Sequence, residues 1–209
     1  MARLILITGG ARSGKSTYAL ERAEEISRDR SFLATCPVMD GEMRQRIERH
    51  RQEREGRGWR CCEEEIAVAA RIAEIATAGV VLVDCLTLWI NNLLFKAEAA
   101  QEVFTEAEMR SDVARLLTAI GTHPGTVILV SNEVGMGIVP DNAFARHYRD
   151  LVGTCNRLIA AAADEVVLVS CGLPLFLKGG RPAGDITITT TGQEDGSSGE
   201  NAEGNLSAG

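Results

Sequence analysis

The chain lacks any apolar run of about 20 residues, the length that a helix needs to span a bilayer. Its first residues, Met1-Ala2-Arg3, lead directly into an apolar segment and lack the pattern of a cleavable signal peptide. The six cysteines include no Cys-x-x-Cys pair and no spacing typical of a zinc site. We therefore expect a reduced, cytoplasmic protein that is neither secreted nor inserted in a membrane.

Positive charge is also scarce, because 22 lysines and arginines face 29 acidic residues and the net charge is -7. This balance argues against a general nucleic-acid binder. Residues 190–209 are acidic and almost without apolar side chains, so we expect a disordered tail there. The rest of the chain is long enough for one α/β domain with an ample core, which we place at residues 1–182.

What the chain does contain is a complete phosphate-binding loop (P-loop), which follows an apolar run and precedes a helix-like segment at 17–26. Its residues are Gly9, Gly10, Ala11, Arg12, Ser13, Gly14, Lys15 and Ser16. Gly9 and Gly14 permit backbone dihedrals that turn N–H groups onto phosphate oxygens, and Lys15 can reach the β- and γ-phosphates. The hydroxyl of Ser16 can ligate Mg²⁺, and a helix that opens at about Lys15 adds the positive end of its dipole. The loop predicts a nucleotide-handling protein.

Apolar segments alternate with helix-like segments along the chain, which is typical of a parallel sheet with helices on both faces. Strands are predicted at residues 3–8, 31–35, 80–84, 126–131 and 165–170, with a short edge strand at 173–178. Two of them, 80–83 and 127–130, are apolar throughout, as expected for central strands. The predicted fold class is therefore α/β, P-loop NTPase-like and RecA-like, with function at the carboxyl ends of the strands.

Two predicted strands end in polar residues that suit this chemistry. Asp84 ends an apolar strand, the position at which a P-loop protein holds a carboxylate for Mg²⁺ near Ser16; the alternative is a simple strand-end cap. Residues 131–140 combine two glycines with amide and acid side chains. They predict either a substrate wall or a tight loop in which Asp141 or Asn142 caps the next helix, and both can hold.

The positive charge that exists is concentrated at residues 42–60, which we interpret as a charged helix and loop around His50. Its seven arginines are Arg44, Arg46, Arg49, Arg51, Arg54, Arg57 and Arg60. An imidazole among guanidinium groups can receive a phosphoryl or nucleotidyl group, because neutral histidine is nucleophilic and the cations offset phosphate charge. On the residues alone, a solvated helix face with Glu–Arg pairs is favoured over this role. His123 is interpreted as a turn residue, and His147 as part of a helix at 143–163.

Several segments together resemble one family, and they lie at residues 7–16, 32–35, 46–50, 91–95, 131–140 and 145–150. From about residue 3 to 178 the chain resembles the bifunctional adenosylcobinamide kinase/adenosylcobinamide-phosphate guanylyltransferases of cobalamin biosynthesis. The resemblance implies that a nucleoside triphosphate, ATP or GTP, phosphorylates the aminopropanol hydroxyl of adenosylcobinamide. It further implies that His50 attacks the α-phosphorus of GTP, pyrophosphate leaves, and the cobinamide phosphate takes the GMP to give adenosylcobinamide-GDP.

The resemblance also implies roles for individual residues and a homotrimer. Beyond the P-loop and Asp84, the residues along the guanine nucleotide are Ala34, Thr35, Cys36, Arg51, Gln52, Glu53, Arg54 and Glu63. Glu63 suits guanine because a carboxylate can accept from both N1–H and the exocyclic amine. Ser16 and Asp84 are the expected ligands of Mg²⁺, and His50 is the expected carrier of the covalent guanylyl group. The family often has a second histidine where this chain has Arg49, and often Glu where it has Asp84.

Two other functions fit a P-loop protein. A regulatory GTP switch is one, but the chain contains no Asn-Lys-x-Asp guanine motif of the switch GTPases. A kinase of another small alcohol, without nucleotidyl transfer, is the other, and substrate profiling is what separates it from the bifunctional enzyme.

Overall fold

A computed structural model of the protein describes residues 2–36, 48, 51–52, 54–75 and 79–180. Within these ranges the strands are β1 (Arg3–Gly9), β2 (Arg30–Ala34), β3 (Trp59–Glu63), β4 (Val80–Asp84), β5 (Thr126–Val130), β6 (Glu165–Ser170) and β7 (Leu173–Lys178). The helices are α1 (Lys15–Ile26), α2 (Val68–Glu74), α3 (Leu86–Ala99), α4 (Glu106–Thr122) and α5 (Ala143–Ala162). Residues 51, 52 and 54 are helical as well. The predicted tail at 190–209 lies outside the described residues.

The seven described strands form one sheet in the order β3-β2-β4-β5-β1-β6-β7. All neighbours are parallel except β6 and β7, which form an antiparallel pair at one edge. Strand β5 lies between β1, which leads into the P-loop, and β4, which ends in Asp84. This confirms the predicted mostly parallel, RecA-like P-loop architecture and the edge strand at 173–178.

Burial explains why the central strands β4 and β5 are apolar through most of their length. Every residue of β5 is buried, and so are the first four residues of β4, because helices cover both faces of the sheet. On one face α1 packs through Ala19, Leu20 and Ala23 against the sheet. The larger core on the other face includes buried residues of α2, α3, α4 and α5. None of the helices in the described ranges is long and apolar enough to cross a bilayer.

Two helices, α4 and α5, begin at a side-chain cap. Thr105 accepts from the backbone amide of Glu108, and the Glu108 carboxylate accepts in return from the amide of Thr105, a complete capping box at the start of α4. At α5 the side chain of Asn142 accepts from the amide of Ala145 at 2.7 Å. Of the two caps proposed from sequence, Asn142 is therefore the one used.

Strand β3 corrects the prediction that residues 42–60 form only a charged helix and loop, because Trp59 and Arg60 begin this strand. β3 lies at the edge of the sheet and pairs only with β2 within the described chain, so its residues are half-buried or exposed. The ring of Trp59 meets that of Phe32 edge-on, with centroids 6.1 Å apart. An edge strand of this composition has no apolar run, so its sequence gives no strand signal.

Candidate nucleotide site

The loop between β1 and α1 has the backbone shape that phosphate binding requires. Gly14 has a φ of 91° and Arg12 a φ of 57°, both in the left-handed region. A Cβ atom at Gly9 would lie 2.4 Å from the carbonyl oxygen of Val169, so the close approach of β6 requires glycine. The buried side chain of Lys15 folds back over the loop, where its Nζ donates to the carbonyl oxygen of Gly10 at 3.1 Å.

Neighbouring strands hold this loop in place. The amide of Glu133, just past β5, donates to the carbonyl oxygen of Gly9 at 3.0 Å, and the amide of Gly172, just past β6, donates to that of Ser13 at 2.8 Å. The hydroxyls of Thr8 and Ser13 are buried and have no hydrogen-bond partner within the described residues. The loop is thus anchored from both sides, with backbone and hydroxyl groups at the carboxyl edge of the sheet.

The sheet register brings together predicted site residues that are far apart in the sequence. Glu63, Ala34 and Asp84 are direct partners across β3, β2 and β4, and the same row continues through Val130 to Ile7. Neighbouring strands lie ~4.8 Å apart, so the row places Glu63 about 19 Å from the P-loop strand. The predicted contacts therefore follow one edge of the sheet from the phosphate loop to β3.

A buried hydrogen-bond cluster fixes the middle of this edge. The Thr35 hydroxyl donates to the carbonyl oxygen of Cys85 at 2.7 Å and accepts from the amide of Cys85 at 2.8 Å. The Asn92 side chain, on α3, donates to the carbonyl oxygens of Thr35 at 2.8 Å and Glu65 at 3.1 Å. The ends of β2 and β4, the start of α3 and the segment after β3 are thereby joined. Thr35 was predicted at the site, but no role for Asn92 was inferred.

Cys85 follows Asp84, the predicted ligand of Mg²⁺, and its thiol is unreactive. Burial and then the negative charge of Asp84 raise the pKa of the Cys85 thiol to about 11, against the hydrogen bond to Thr87 and the positive charge of Lys15. Both Asp84 and Lys15 thus act electrostatically on the same buried thiol. Because the thiolate is the nucleophilic form, Cys85 is neutral and inert near pH 7.

A second buried network supports the end of β5. The Asn132 side chain donates to the Thr87 hydroxyl at 3.1 Å, and the Asn156 side chain donates to the carbonyl oxygen of Asn132 at 3.0 Å. Ser131 donates to Asn156 at 2.6 Å, and the Tyr148 hydroxyl donates to the carbonyl oxygen of Thr87 at 3.3 Å. No role was predicted from the sequence for these supporting residues of α3 and α5. Their only signal is a polar side chain at helix positions that face the sheet.

The predicted guanine-side residues lie beside β3 where they are described. The Arg51 guanidinium donates to the Glu63 carboxylate, and this hydrogen bond raises the pKa of Arg51. Arg54 is only 6% exposed, and its guanidinium carbon lies 3.7 Å from the ring centroid of Phe32. Arg51 therefore faces solvent next to Glu63, whereas Arg54 stacks on a core aromatic ring.

Other predicted residues of this segment have less structural information. Gln52 is exposed. His50 and Glu53 lie outside the described residues, so the predicted roles of both stay predictions. The two remaining histidines have structural contacts: His123 is buried, with Nδ1 accepting from the amide of Gly125 at 3.0 Å, and Nε2 of His147 lies 2.8 Å from the carbonyl oxygen of Phe104.

The donor chemistry of Ser16 and Asp84 fits Mg²⁺. A hydroxyl and a carboxylate are hard oxygen donors of the kind that Mg²⁺ prefers. Across the described ranges, no group of three or more histidine, cysteine, aspartate or glutamate side chains could hold a metal ion. The donor set therefore suits a cation that takes its other ligands from phosphate oxygens and water rather than a cage built by the protein alone.

The fold and the anchored phosphate loop define a P-loop nucleotide-binding protein. Residues 5–177 match the family described as cobinamide kinase / cobinamide phosphate guanyltransferase. The chain belongs to this family, which confirms the resemblance stated from its motifs.

Curated relatives agree with this assignment. The bifunctional adenosylcobalamin biosynthesis protein CobP of Pseudomonas aeruginosa is 44% identical over 175 residues, which cover 83% of this chain and 96% of that protein. The bifunctional adenosylcobalamin biosynthesis proteins CobU of Escherichia coli and of Salmonella typhimurium are each 40% identical over 185 residues, covering 84% of this chain and 99% of theirs. Among solved structures, the flagellar accessory protein FlaH of Methanocaldococcus jannaschii is 12% identical and aligns over 85% of this chain and 78% of its own, with a TM-score of 0.49.

Proposed function

We propose that this chain phosphorylates adenosylcobinamide with a nucleoside triphosphate and then transfers GMP from GTP to the product, giving adenosylcobinamide-GDP in cobalamin biosynthesis. The observation that carries the proposal is the complete, anchored P-loop within a family match over residues 5–177. The family description names both activities, and the relatives named above are described as bifunctional.

In the kinase step, the acceptor hydroxyl oxygen bonds to the γ-phosphorus while the bond from that phosphorus to the bridging oxygen breaks. Negative charge shifts toward the leaving nucleoside diphosphate. The loop amides, the Lys15 ammonium and the amino end of α1 are the groups of this chain that stabilise it. The bond from Lys15 to the carbonyl oxygen of Gly10 supports this role, because it keeps the ammonium over the loop.

In the guanylyl step, an imidazole nitrogen of His50 bonds to the α-phosphorus of GTP and pyrophosphate leaves with the electron pair. A phosphate oxygen of the phosphorylated acceptor then attacks the same phosphorus, and the N–P bond breaks. Glu63 accepts from guanine N1–H and the exocyclic amine in this scheme. Because Glu63 accepts from Arg51 in the structure, guanine takes the place of Arg51 as the donor.

Mg²⁺ bound by Ser16 and Asp84 is part of the proposal, and when bound it neutralises phosphate charge. Ala34 and Cys36 are partly exposed on the route from the phosphate loop to Glu63, which supports a contact with the nucleotide body. Thr35 is buried between them and holds this segment through its hydrogen bonds to Cys85. A homotrimer is proposed from the family resemblance, and a cytoplasmic location from the cysteine pattern. Sedimentation equilibrium on the full chain tests the trimer directly.

Intact-mass spectrometry after incubation with GTP and Mg²⁺ tests the central step. We expect a GMP-sized adduct on the wild type and on His147→Ala, and no adduct on His50→Ala. The adduct is stable in base and lost in acid, since protonation of a phosphoramidate nitrogen makes imidazole a good leaving group. An adduct on His50→Ala, or one that survives acid as an oxygen ester does, contradicts the proposal. GTP hydrolysis with no adduct on any variant points to a simple kinase or a GTP switch.

A further inference from the structure

The end of β5 lies between the two strands that carry the phosphate chemistry. Val130, its last residue, pairs with Ile7 of β1 and with Asp84 of β4. Residues 131–133 therefore continue past the sheet at the carboxyl edge, between the P-loop and the end of β4. The hydrogen bond from the amide of Glu133 to the carbonyl oxygen of Gly9 ties this segment directly to the first residue of the P-loop.

The Glu133 carboxylate has a defined position at this edge. One of its oxygens, Oε1, accepts from the amide of Gly135 at 2.7 Å. A Cβ atom at position 135 would lie 3.0 Å from that same oxygen, so glycine gives the carboxylate its room. Glu133 itself is half-buried. Its side chain is therefore held against the backbone of its own turn at Gly135 and remains partly accessible to solvent.

The other carboxylates of this edge suit different tasks. Asp84 lies within electrostatic range of the same thiol as Lys15, in keeping with a role at the phosphates. Glu63 is four strands away from β1, about 19 Å at ~4.8 Å per strand, and is paired with Arg51. Glu133 differs from both, because its backbone amide bonds to the P-loop while its carboxylate accepts from a backbone amide, that of Gly135.

The chain continues from Glu133 into an exposed apolar segment, 136–139. Met136, Ile138 and Val139 are 81%, 97% and 63% exposed. Just beyond it, the partly exposed ring of Phe144 lies 6.0 Å from that of Phe95, between centroids. Contiguous apolar exposure of this kind typically marks a binding surface. Its place shortly after Glu133, whose amide bonds to the P-loop, fits an acceptor whose alcohol is attached to a large body with an apolar rim, as in a corrin macrocycle.

We infer that Glu133 is the proton acceptor of the kinase reaction and that segment 136–139 is the adjoining wall of the acceptor subsite. This inference rests on the proposed function and names the acceptor side of the same site. As the acceptor oxygen bonds to the γ-phosphorus, the nucleoside diphosphate leaves with the electron pair of the broken P–O bond. The hydroxyl proton passes to the Glu133 carboxylate and from there to water. Guanylylation of His50 involves no hydroxyl group, so it proceeds without Glu133.

The two half-reactions separate this role from a structural one. In Glu133→Gln, we expect kcat for adenosylcobinamide phosphorylation to fall on the order of 100-fold or more, with the nucleotide KM unchanged. The yield and rate of the GMP adduct stay within about twofold of wild type, since general acid–base catalysis by this group acts only on the hydroxyl. Glu133→Asp restores part of kcat, because it returns a carboxylate to this position. Glu98→Gln, on an exposed position of α3, is the matched control.

Three results overturn the assignment of Glu133. Wild-type kcat in Glu133→Gln shows that no proton passes to this carboxylate. Parallel loss of kinase activity and adduct formation shows that Glu133 serves the fold or the nucleotide. A wild-type chain that phosphorylates no adenosylcobinamide overturns the proposed function itself, and this case is distinct because it is seen without any substitution.

Ile138→Ser tests the wall. We expect the KM for adenosylcobinamide to rise about tenfold, because the variant loses one apolar side chain that the bound acceptor would cover. The nucleotide KM and the sedimentation mass should be unchanged. An unchanged KM for adenosylcobinamide contradicts the assignment of segment 136–139 to the acceptor subsite. A smaller sedimentation mass in the same variant shows that the segment instead contacts a second copy of the chain.

Discussion

Thr35 and Cys85 exchange two hydrogen bonds, 2.7 and 2.8 Å long, in which one hydroxyl serves both backbone groups of Cys85. The pair joins the ends of β2 and β4, which carry predicted nucleotide contacts. Thr35 is fully buried, so no water can replace its hydroxyl.

For this reason Thr35→Val is expected to lower the free energy of unfolding by about 1–3 kcal/mol, the cost of buried backbone groups left without partners. Urea unfolding followed by circular dichroism measures it. Thr118→Val is the matched control, since the Thr118 hydroxyl is exposed and bonds only within its own helix. Equal effects of the two substitutions would mean that the Thr35 pair contributes no special stability.

Gly9 and Gly10 offer a second matched comparison. A Cβ at Gly9 would meet the carbonyl oxygen of Val169 at 2.4 Å, whereas one at Gly10 meets nothing within 4 Å. Gly9→Ala therefore forces β1 and β6 apart, and we expect it to destabilise the fold by about 1–3 kcal/mol and to weaken nucleotide binding. Gly10→Ala should change stability by less than about 0.5 kcal/mol. Denaturant unfolding and calorimetric titration with GTP measure both, and a Gly10→Ala variant as unstable as Gly9→Ala contradicts the geometry.

Alkaline pH should destabilise the fold through two buried thiols. Burial raises the pKa of Cys85 to about 11 and that of Cys155 to about 12, above the ordinary value of 9.0. Above pH 9 the unfolded chain releases protons that the folded chain retains, so the free energy of unfolding falls as pH rises from 9 toward 11. Unfolding measured from pH 7 to 10 gives the slope. Cys155→Ala should reduce that slope and Cys171→Ala, at an exposed position, should not; identical slopes would exclude the buried thiols as its origin.

The sequence predicts the central strands well, and the reason is physical. β4 (Val80–Asp84) and β6 (Glu165–Ser170) have the predicted bounds, because strands between two helical layers are apolar through most of their length. β3 was missed because its sequence, unlike that of the edge strand β7, contains no apolar run. The predicted cap at Asn142 is confirmed because capping depends on neighbouring residues alone.

The candidate site shows the same difference between local and tertiary features. The P-loop is contiguous, so its glycines and Lys15 could be recognised without any tertiary structure. The row that joins Glu63, Ala34 and Asp84 depends on strand order, which local patterns do not contain. The stacking of Arg54 on Phe32 likewise follows from tertiary packing.

The turn between β6 and β7 gives the phosphate loop a property that neither has alone. Gly172 donates to Ser13, and a Cβ at Gly14 would lie 3.2 Å from the Cα of Gly172. This turn thus holds the phosphate loop in its folded conformation. The conformational entropy of the loop is therefore lost when the chain folds and not when a nucleotide binds. Affinity for phosphate is consequently coupled to the stability of the antiparallel hairpin β6–β7, more than 150 positions after Ser13. A nucleotide that binds the ordered loop stabilises that hairpin in return.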